Sequence, residues 1–304
     1  MGGGGLVPEP GPLGEAVDGF VTDTLKRVLE KTGGGDSMAV FLPLRIFFNY
    51  ALLALLICAA VFVASTVLSP ILFRSAMAKL EPFERKIWHT NMVTFFPTFA
   101  VTYFAWPAIV NYAGAKYSFV EPASVDTLKA CGMSLGYMSW DLGVLILDPK
   151  GQMKAYGGVA PYVLFIFHHT LSIAAWPYAV SMGRCVYFVN FFLFSEVTNF
   201  NLSLRWFLMT TKRENSSLYF WNGILWIPLF FAARIAVIPG LVDRYWNSDW
   251  TQLGAGETWA ARLMLPIPVM LNVYWMGQIA SGAISYLTGS AGGEAPAGED
   301  KKKK

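Results

Sequence analysis

The chain has 304 residues, of which 15% are aromatic and only 14% are charged, and its mean hydropathy is +0.44. A soluble chain of this length needs more charge to cover its surface, and here the apolar residues lie in long blocks rather than in amphipathic alternation. The composition therefore argues against a pair of soluble domains and indicates a multipass membrane protein.

The N-terminal region, residues 1–44, is rich in Gly and Pro. It lacks the basic start and apolar core of a signal peptide. Leu6 stands where the myristoylation pattern needs Ser or Thr. We expect a flexible tail here, with a short amphipathic helix around residues 15–31. A first membrane helix and a basic loop follow over residues 45–79.

Long apolar blocks divide the rest of the chain. A membrane-spanning helix needs about 20 mostly apolar residues. By this criterion the sequence predicts about seven spans, at residues 46–70, 88–110, 127–147, 159–181, 185–209, 218–241 and 259–287. The last block is long enough to tilt or bend, and Pro266 and Pro268 mark the place. We therefore predict an all-α polytopic membrane bundle with a lipid-accessible cavity.

Basic residues are unevenly distributed between the loops. They follow the first, third and fifth spans, at Arg74, Lys79, Arg85, Lys86, Lys150, Lys154, Lys212 and Arg213. By the positive-inside rule these loops and the C-terminus are cytoplasmic, and the N-terminus is lumenal. The sequon at Asn215 falls in a cytoplasmic loop, so we predict that it carries no glycan.

The C-terminal region, residues 288–304, ends in four lysines, Lys301–Lys304. Such a run is typical of a basic tail that contacts anionic lipid. It also resembles a dilysine retrieval signal of the endoplasmic reticulum, in which case coat proteins would recognise it. The sequence leaves both interpretations open.

Ionisable residues at membrane depth are costly and mark functional sites by default. Four stand out as candidate catalytic groups: Asp141, His168, His169 and Glu196. One imidazole could act as an acid, base or nucleophile while a carboxylate orients it. Alternatively, both histidines could be structural hydrogen-bonding groups. Candidate contacts for a lipid or its head group are Ser195, Thr198, Asn199, Trp176 and Arg205. Glu196 and Asn199 share a helix face, whereas Arg205 is expected to extend toward the cytoplasmic interface.

Neither a metal site nor a nucleic-acid surface is expected. Three histidines, with His89 at the edge of the second span, are too few for a membrane di-iron site, and the three cysteines show no CxxC spacing. No basic stripe carries interleaved aromatics. We predict no metal, no cofactor and no nucleic-acid partner.

Several motifs together resemble the TLC domain, shared by translocation-associated membrane proteins, ceramide synthases and CLN8-like proteins. They are SWDL at 139–142, FHH at 167–169, SE at 195–196 and RW at 205–206. The resemblance covers roughly residues 80–285, within a predicted TLC-like membrane domain at 80–287, and is closest to the small TLC-domain-containing proteins. It implies membrane-lipid handling in the endoplasmic reticulum: lipid homeostasis, sensing or trafficking.

The ceramide synthase branch of this family transfers an acyl chain from acyl-CoA to a sphingoid amine. Its motif begins with a histidine pair, matched by His168 and His169, and ends in H-D-x-S-D. Here the second block reads Ser195-Glu196-Val197-Thr198-Asn199, without the histidine and the final acid. An N-acyltransferase of sphingolipids with acyl-CoA as cosubstrate is therefore the alternative hypothesis. A proton-coupled transporter ranks last, because the sequence shows no repeated halves.

Overall fold

The computed structural model describes residues 12–31 and 38–288. Within these ranges the chain is α-helical, and its only β-type pairing is an isolated bridge between Val120 and Arg184. This confirms the all-α prediction. In chain order the α-helices are α1 Pro12–Lys31, α2 Met38–Leu72, α3 Arg74–Met77, α4 Pro82–Val110, α5 Val125–Leu147, α6 Pro149–Ala155, α7 Val159–Ser181, α8 Val186–Phe194, α9 Asn199–Thr210, α10 Ser217–Phe230, α11 Ile238–Asn247, α12 Ala255–Met264 and α13 Pro266–Leu287.

Six helical segments of the described chain are long and apolar enough to cross a membrane. They are Leu42–Leu72, Pro82–Val110, Val125–Leu147, Val159–Ser181, Ser217–Asn247 and Ala255–Tyr286. The predicted fifth span, 185–209, is also helical, but a 3-10 turn at Ser195–Thr198 divides it into α8 and α9. The seven predicted segments thus correspond to six long helical segments and one interrupted helix.

Two of the long segments are also irregular. A π-helical turn at Phe231–Ile235 separates α10 from α11. Pro266 lies at the start of α13, directly after the junction residue Leu265, where α12 ends. The last span is therefore interrupted at Leu265, next to the prolines that predicted a bend.

The helices bring the loops together at two ends of the bundle. One end, which we call the basic end, consists of the connections 73–81 and 148–158, which contain the short helices α3 and α6, and of the loop 211–216. Here Lys86 lies 3.4 Å from Asp148. At the opposite end (loops 111–124, 182–185 and 248–254), Cys185 N–H donates to the Phe119 carbonyl at 2.8 Å. Together α8, the 3-10 turn and α9 run from the opposite end to the basic end.

Helices α2 and α5 pack closely because glycine lies at their contact. A Cβ atom at Gly132 would lie 2.4 Å from the Phe47 carbonyl oxygen, and one at Gly136 would lie 2.2 Å from that of Ala51. Small residues allow this approach in membrane bundles, where van der Waals packing drives association. The pair forms one wall of the bundle.

A buried guanidinium anchors the loops of the opposite end. Arg244 lies 3.8 Å from the centre of the Tyr187 ring, and its Nη1 donates to the Tyr112 hydroxyl at 3.1 Å. It also donates to the carbonyl oxygens of Lys116 and Ala115. The Tyr112 hydroxyl donates to Glu121, whose pKa burial raises above its usual range. These contacts fix the opposite end and leave the polar interior of the bundle as a separate region.

The segment assigned to an N-terminal tail contains an ordered element. Helix α1 packs Val17, Val21 and Leu25 against α2, and Arg45 Nε donates to Asp18 at 2.8 Å. The predicted amphipathic helix around residues 15–31 thus lies within α1. The terminal lysines 301–304 lie outside the described residues.

Candidate functional site

A cavity of about 500 Å³ lies inside the bundle. It extends from Gln152 and Trp206 near the basic end to Leu265 near the opposite end. Most of its wall is apolar, with side chains such as Phe192 and Leu271. Cavities of this size hold small organic ligands, whose specificity comes from a few fixed polar groups. Here those groups come from helices α4 to α7, α9 and α13 and from the two turns at Ser195–Thr198 and Phe231–Ile235.

His169 is held by partners on both ring nitrogens. Its Nδ1–H donates to the Phe165 carbonyl one turn earlier, at 2.7 Å, and its Nε2 lies 3.0 Å from Asp141 Oδ2 on α5. One proton lies between Nε2 and the carboxyl group, so the pair is neutral overall whichever atom carries it. His169 is 4% exposed. Both nitrogens are therefore committed to the protein.

His168 is in a different position, although it is the neighbouring residue. Adjacent side chains on a helix point about 100° apart, and the His168 ring lines the cavity beside Trp275, with ring centres 6.3 Å apart. Its ring nitrogens make no hydrogen bond within the described chain. Of the two histidines, His168 is the one available to a ligand.

The 3-10 turn between α8 and α9 presents Glu196 to the cavity. Asn199 Nδ2 donates to Glu196 Oε2 at 2.6 Å, so the predicted shared face is confirmed. Ser195 and Thr198 use their hydroxyls within the turn, donating to the carbonyls of Phe192 and Ser195. Local departures from α-geometry inside a helix often mark functional sites.

Arg234, which sequence reasoning missed, lies at the centre of the polar cluster. It is 6% exposed and sits on the π-helical turn. Its Nε donates to Thr198 Oγ1 at 2.9 Å, its Nη1 to Asn272 Oδ1 at 2.9 Å and its Nη2 to Asn199 Oδ1 at 3.2 Å. A lone arginine in the apolar block 218–241 was the signal that could have identified it.

The charges of this cluster balance. Asn199 bridges the two charged groups, because its Nδ2 donates to the Glu196 carboxylate and its Oδ1 accepts from the Arg234 guanidinium. Asp141 and His169 form the second neutral pair. Uncompensated charge in a low-dielectric interior is costly, so this pairing stabilises the cluster. The site therefore offers a neutral set of donors and acceptors rather than a net charge.

The predicted site residues fall into two groups. Eight line the cavity: Asp141, His168, His169, Trp176, Ser195, Glu196, Thr198 and Asn199. The ninth, Arg205, lies outside it, with its guanidinium 4.5 Å from the centre of the Tyr219 ring. The structure thus does not place Arg205 with the polar cluster, in line with its expected position toward one membrane interface.

Side chains that commonly bind metals do not cluster in the described part of the chain. Residues 12–31 and 38–288 contain no group of three His, Cys, Asp or Glu side chains arranged to hold a metal ion. Cys58, Cys131 and Cys185 are buried free thiols. His89 lies apart from the cavity, with its Nδ1 2.9 Å from the Ser65 hydroxyl.

The family model for the TLC domain matches residues 87–281, about two thirds of the chain. This chain belongs to the TLC-domain family. Among similar proteins, TLC domain-containing protein 4-B of Xenopus laevis is 29% identical over 258 residues, 82% of this chain and 94% of its own length. The protein of the same name from Danio rerio is 27% identical over 238 residues, 74% of this chain and 85% of its own length.

TLC domain-containing protein 4-A of Xenopus laevis is 30% identical over 158 residues, 49% of this chain and 57% of its own length. No solved structure matches the chain. All three relatives are small TLC proteins rather than ceramide synthases, as the motifs indicated. The TLC match contains every candidate site residue named from the sequence and also Arg234 and Asn272.

Proposed function

We propose that this TLC-domain protein binds a membrane lipid in its central cavity and serves lipid homeostasis, sensing or trafficking. The observation that carries the proposal is the combination of an apolar cavity of about 500 Å³ with a charge-balanced polar cluster inside it. The acyl chains of a lipid would pack against the apolar wall of this cavity. Ester carbonyls and hydroxyls of a lipid match the free ring nitrogens of His168 and the second N–H of Nη1 and Nη2 of Arg234, each of which makes one hydrogen bond to the protein.

The N-acyltransferase alternative has less support. A nucleophile or base needs a ring nitrogen that reaches substrate, with a partner that orients the ring. His169 has an orienting carboxylate but no free nitrogen, and His168 has free nitrogens but no carboxylate beside it. The two requirements are thus divided between two residues.

Location and orientation belong to the same proposal. The lipid-handling role, the TLC family and the terminal lysines support residence in the endoplasmic reticulum membrane. The concentration of Lys and Arg in the loops of the basic end supports a cytoplasmic basic end and C-terminus and a lumenal N-terminus. In this orientation the lysine tail is accessible to coat proteins.

Native mass spectrometry of the protein in mild detergent tests the lipid-binding proposal. We expect a co-purified lipid on the wild type and a reduced lipid occupancy in Ala175→Trp, because Ala175 lines the cavity and an indole there would take up part of the space for the lipid. Ala174→Trp is the matched control, since Ala174 is exposed on the outer surface and lines no part of the cavity. Equal lipid occupancy in both variants would contradict the proposal.

The same preparation tests the alternative. After incubation with acyl-CoA, we expect no added acyl mass on the protein and no N-acyl product from an added sphingoid amine. An acylated product that disappears in His168→Ala or His169→Ala would contradict the proposed lipid handling and support acyl transfer as the function.

A further inference from the structure

A second cavity of about 260 Å³ lies between α9, α10 and α13. It shares Trp226, Gln278 and Ile279 with the main cavity, so these side chains form a common wall. Its remaining lining comes from residues such as Arg205 and Tyr286 near the basic end. The two cavities are therefore neighbours separated by one layer of side chains.

The gap between α10 and α13 is open because small residues line it. Gly223 on α10 and Gly282 on α13 both line the second cavity, and a Cβ atom at either position would meet nothing within 4 Å. Large apolar side chains flank the gap on the outer surface, with Ile224 and Ile284 44% and 61% exposed. In a bilayer this surface contacts the acyl chains of lipids. An acyl chain can therefore enter the gap between α10 and α13 from within the bilayer.

Arg205 supplies the charge of the second cavity. Its guanidinium rests on the Tyr219 ring and makes no hydrogen bond or ion pair within the described chain. The planar guanidinium matches phosphate oxygens in a paired geometry. Arg205 lies on α9, less than two helical turns before the loop 211–216. A long basic side chain at such a position extends toward the membrane interface, where the phosphate groups of lipids lie.

Trp226 lies in the wall between the cavities. Its indole N–H is buried and has no hydrogen-bond partner within the described residues. Leaving a buried donor unpaired is costly, so such a group in a folded protein usually has a functional reason. An ester carbonyl of a lipid that passes from one cavity to the other would accept from this N–H.

We propose that the second cavity is a lateral entry site for a phosphate-bearing glycerolipid. The lipid places its phosphate at Arg205 and one acyl chain between Gly223 and Gly282, and the chain reaches the main cavity past Trp226. This inference rests on the proposed lipid-binding function and adds to it the entry route and the chemistry of the lipid.

The test measures how fast bound lipid exchanges, separately from how much is bound. Purified protein with its co-purified lipid is mixed with detergent micelles that contain deuterated phosphatidylglycerol, and native mass spectrometry follows the replacement over time. Gly282→Leu should slow exchange by about tenfold, the low end of the range over which association rates vary among variants of one site. The matched control is Gly277→Leu on the same helix, because Gly277 also has open space around it but lines neither cavity. It should exchange at the wild-type rate.

Three further variants keep the test informative. Trp226→Ala should speed exchange, since it removes the wall between the cavities. Arg205→Gln should abolish the preference for deuterated phosphatidylglycerol over deuterated diacylglycerol, which has no phosphate, and Arg205→Lys should retain part of it.

The possible failures are distinguishable. Wild-type exchange rates in both Gly282→Leu and Trp226→Ala, with lipid still bound, would overturn the entry site and leave lipid binding intact. A wild type that carries no lipid and takes up none would overturn the proposed function itself. An unchanged phosphate preference in Arg205→Gln would overturn the assignment of the phosphate to Arg205.

Discussion

At the scale of single residues, the cluster around Arg234 explains how charges are tolerated inside this bundle. Its guanidinium donates to three side chains, and one of them, Asn199, also donates to Glu196. Removing one member of such a set leaves the other buried without compensation. The cluster is therefore a coupled unit, and its members have to be changed together to separate their contributions.

A double-mutant cycle tests this coupling. Arg234→Gln should lower the free energy of unfolding by about 3–5 kcal/mol, the usual cost of breaking a buried charge pair. Glu196→Gln removes the opposite charge, so the double variant should recover part of that loss. The measurement is thermal or denaturant unfolding in detergent. Strictly additive effects of the two changes would show that the charges do not interact.

Sequence reasoning recovered part of the cluster and missed its centre. Asp141, His169 and Glu196 were identifiable because acids and imidazoles are rare in apolar blocks, and the spacing of Glu196 and Asn199 gave their shared face. The contact between Asp141 and His169 depends on how α5 and α7 pack, which no local pattern specifies. Arg234 was absorbed into an apolar span because its neighbours dominate the hydropathy.

At the scale of helices, the sequence predicts the bounds of most membrane spans. It predicts the bend in the last span but not the two turns that interrupt the other helices. Residues 159–181 form α7 with the predicted bounds, and Pro266 marks the bend in the last span. The 3-10 turn at Ser195–Thr198 and the π-turn at Phe231–Ile235 contain neither Gly nor Pro. These turns face each other through the Arg234–Thr198 hydrogen bond, a tertiary contact that the sequence does not reveal.

The close contact of α2 and α5 yields a stability prediction. Gly136→Val should lower the free energy of unfolding by about 1–3 kcal/mol or more, because its side chain would collide with the backbone of Ala51. Gly143→Val on the same helix is the control, since a Cβ there meets nothing within 4 Å. Thermal unfolding of both variants in one detergent makes the comparison. Equal losses would show that the effect comes from β-branching in the helix rather than from the contact.

The docking of α1 should depend on pH. The hydrogen bond from Arg45 lowers the pKa of Asp18 below its usual value, so this contact stabilises docking above the unfolded pKa of about 3.9 and is lost as the pH falls through the lowered value. Hydrogen exchange of the α1 amides, corrected for the intrinsic rate, should increase in that acidic range.

A substitution separates this contact from a general effect of acid. At neutral pH, Asp18→Asn should raise amide exchange in α1, and Asp23→Asn, at an exposed position of the same helix, should not. Unchanged protection in Asp18→Asn would mean that the apolar contacts of Val17, Val21 and Leu25 hold α1 alone.

At the scale of the whole molecule, the proposed orientation in the membrane rests on the distribution of charge between the two ends. We expect Asn215, in the loop 211–216 of the basic end, to remain unmodified, and a sequon introduced into the loop 111–124 to be glycosylated. Glycosidase-sensitive gel shifts in microsomes read out both sites. A glycan on Asn215 would reverse the proposed topology.

The central claim is that a lipid occupies the interior cavity, and photo-crosslinking tests it most directly. A phospholipid with a diazirine in its acyl chain is incorporated into the protein's membrane, activated by light, and its attachment sites are mapped by mass spectrometry. We predict adducts on cavity-lining residues such as Leu171, Ala175 and Leu271, and fewer of these adducts in Ala175→Trp. Adducts confined to lipid-facing residues such as Val63 and Phe99, which are 60% and 62% exposed, would contradict the account.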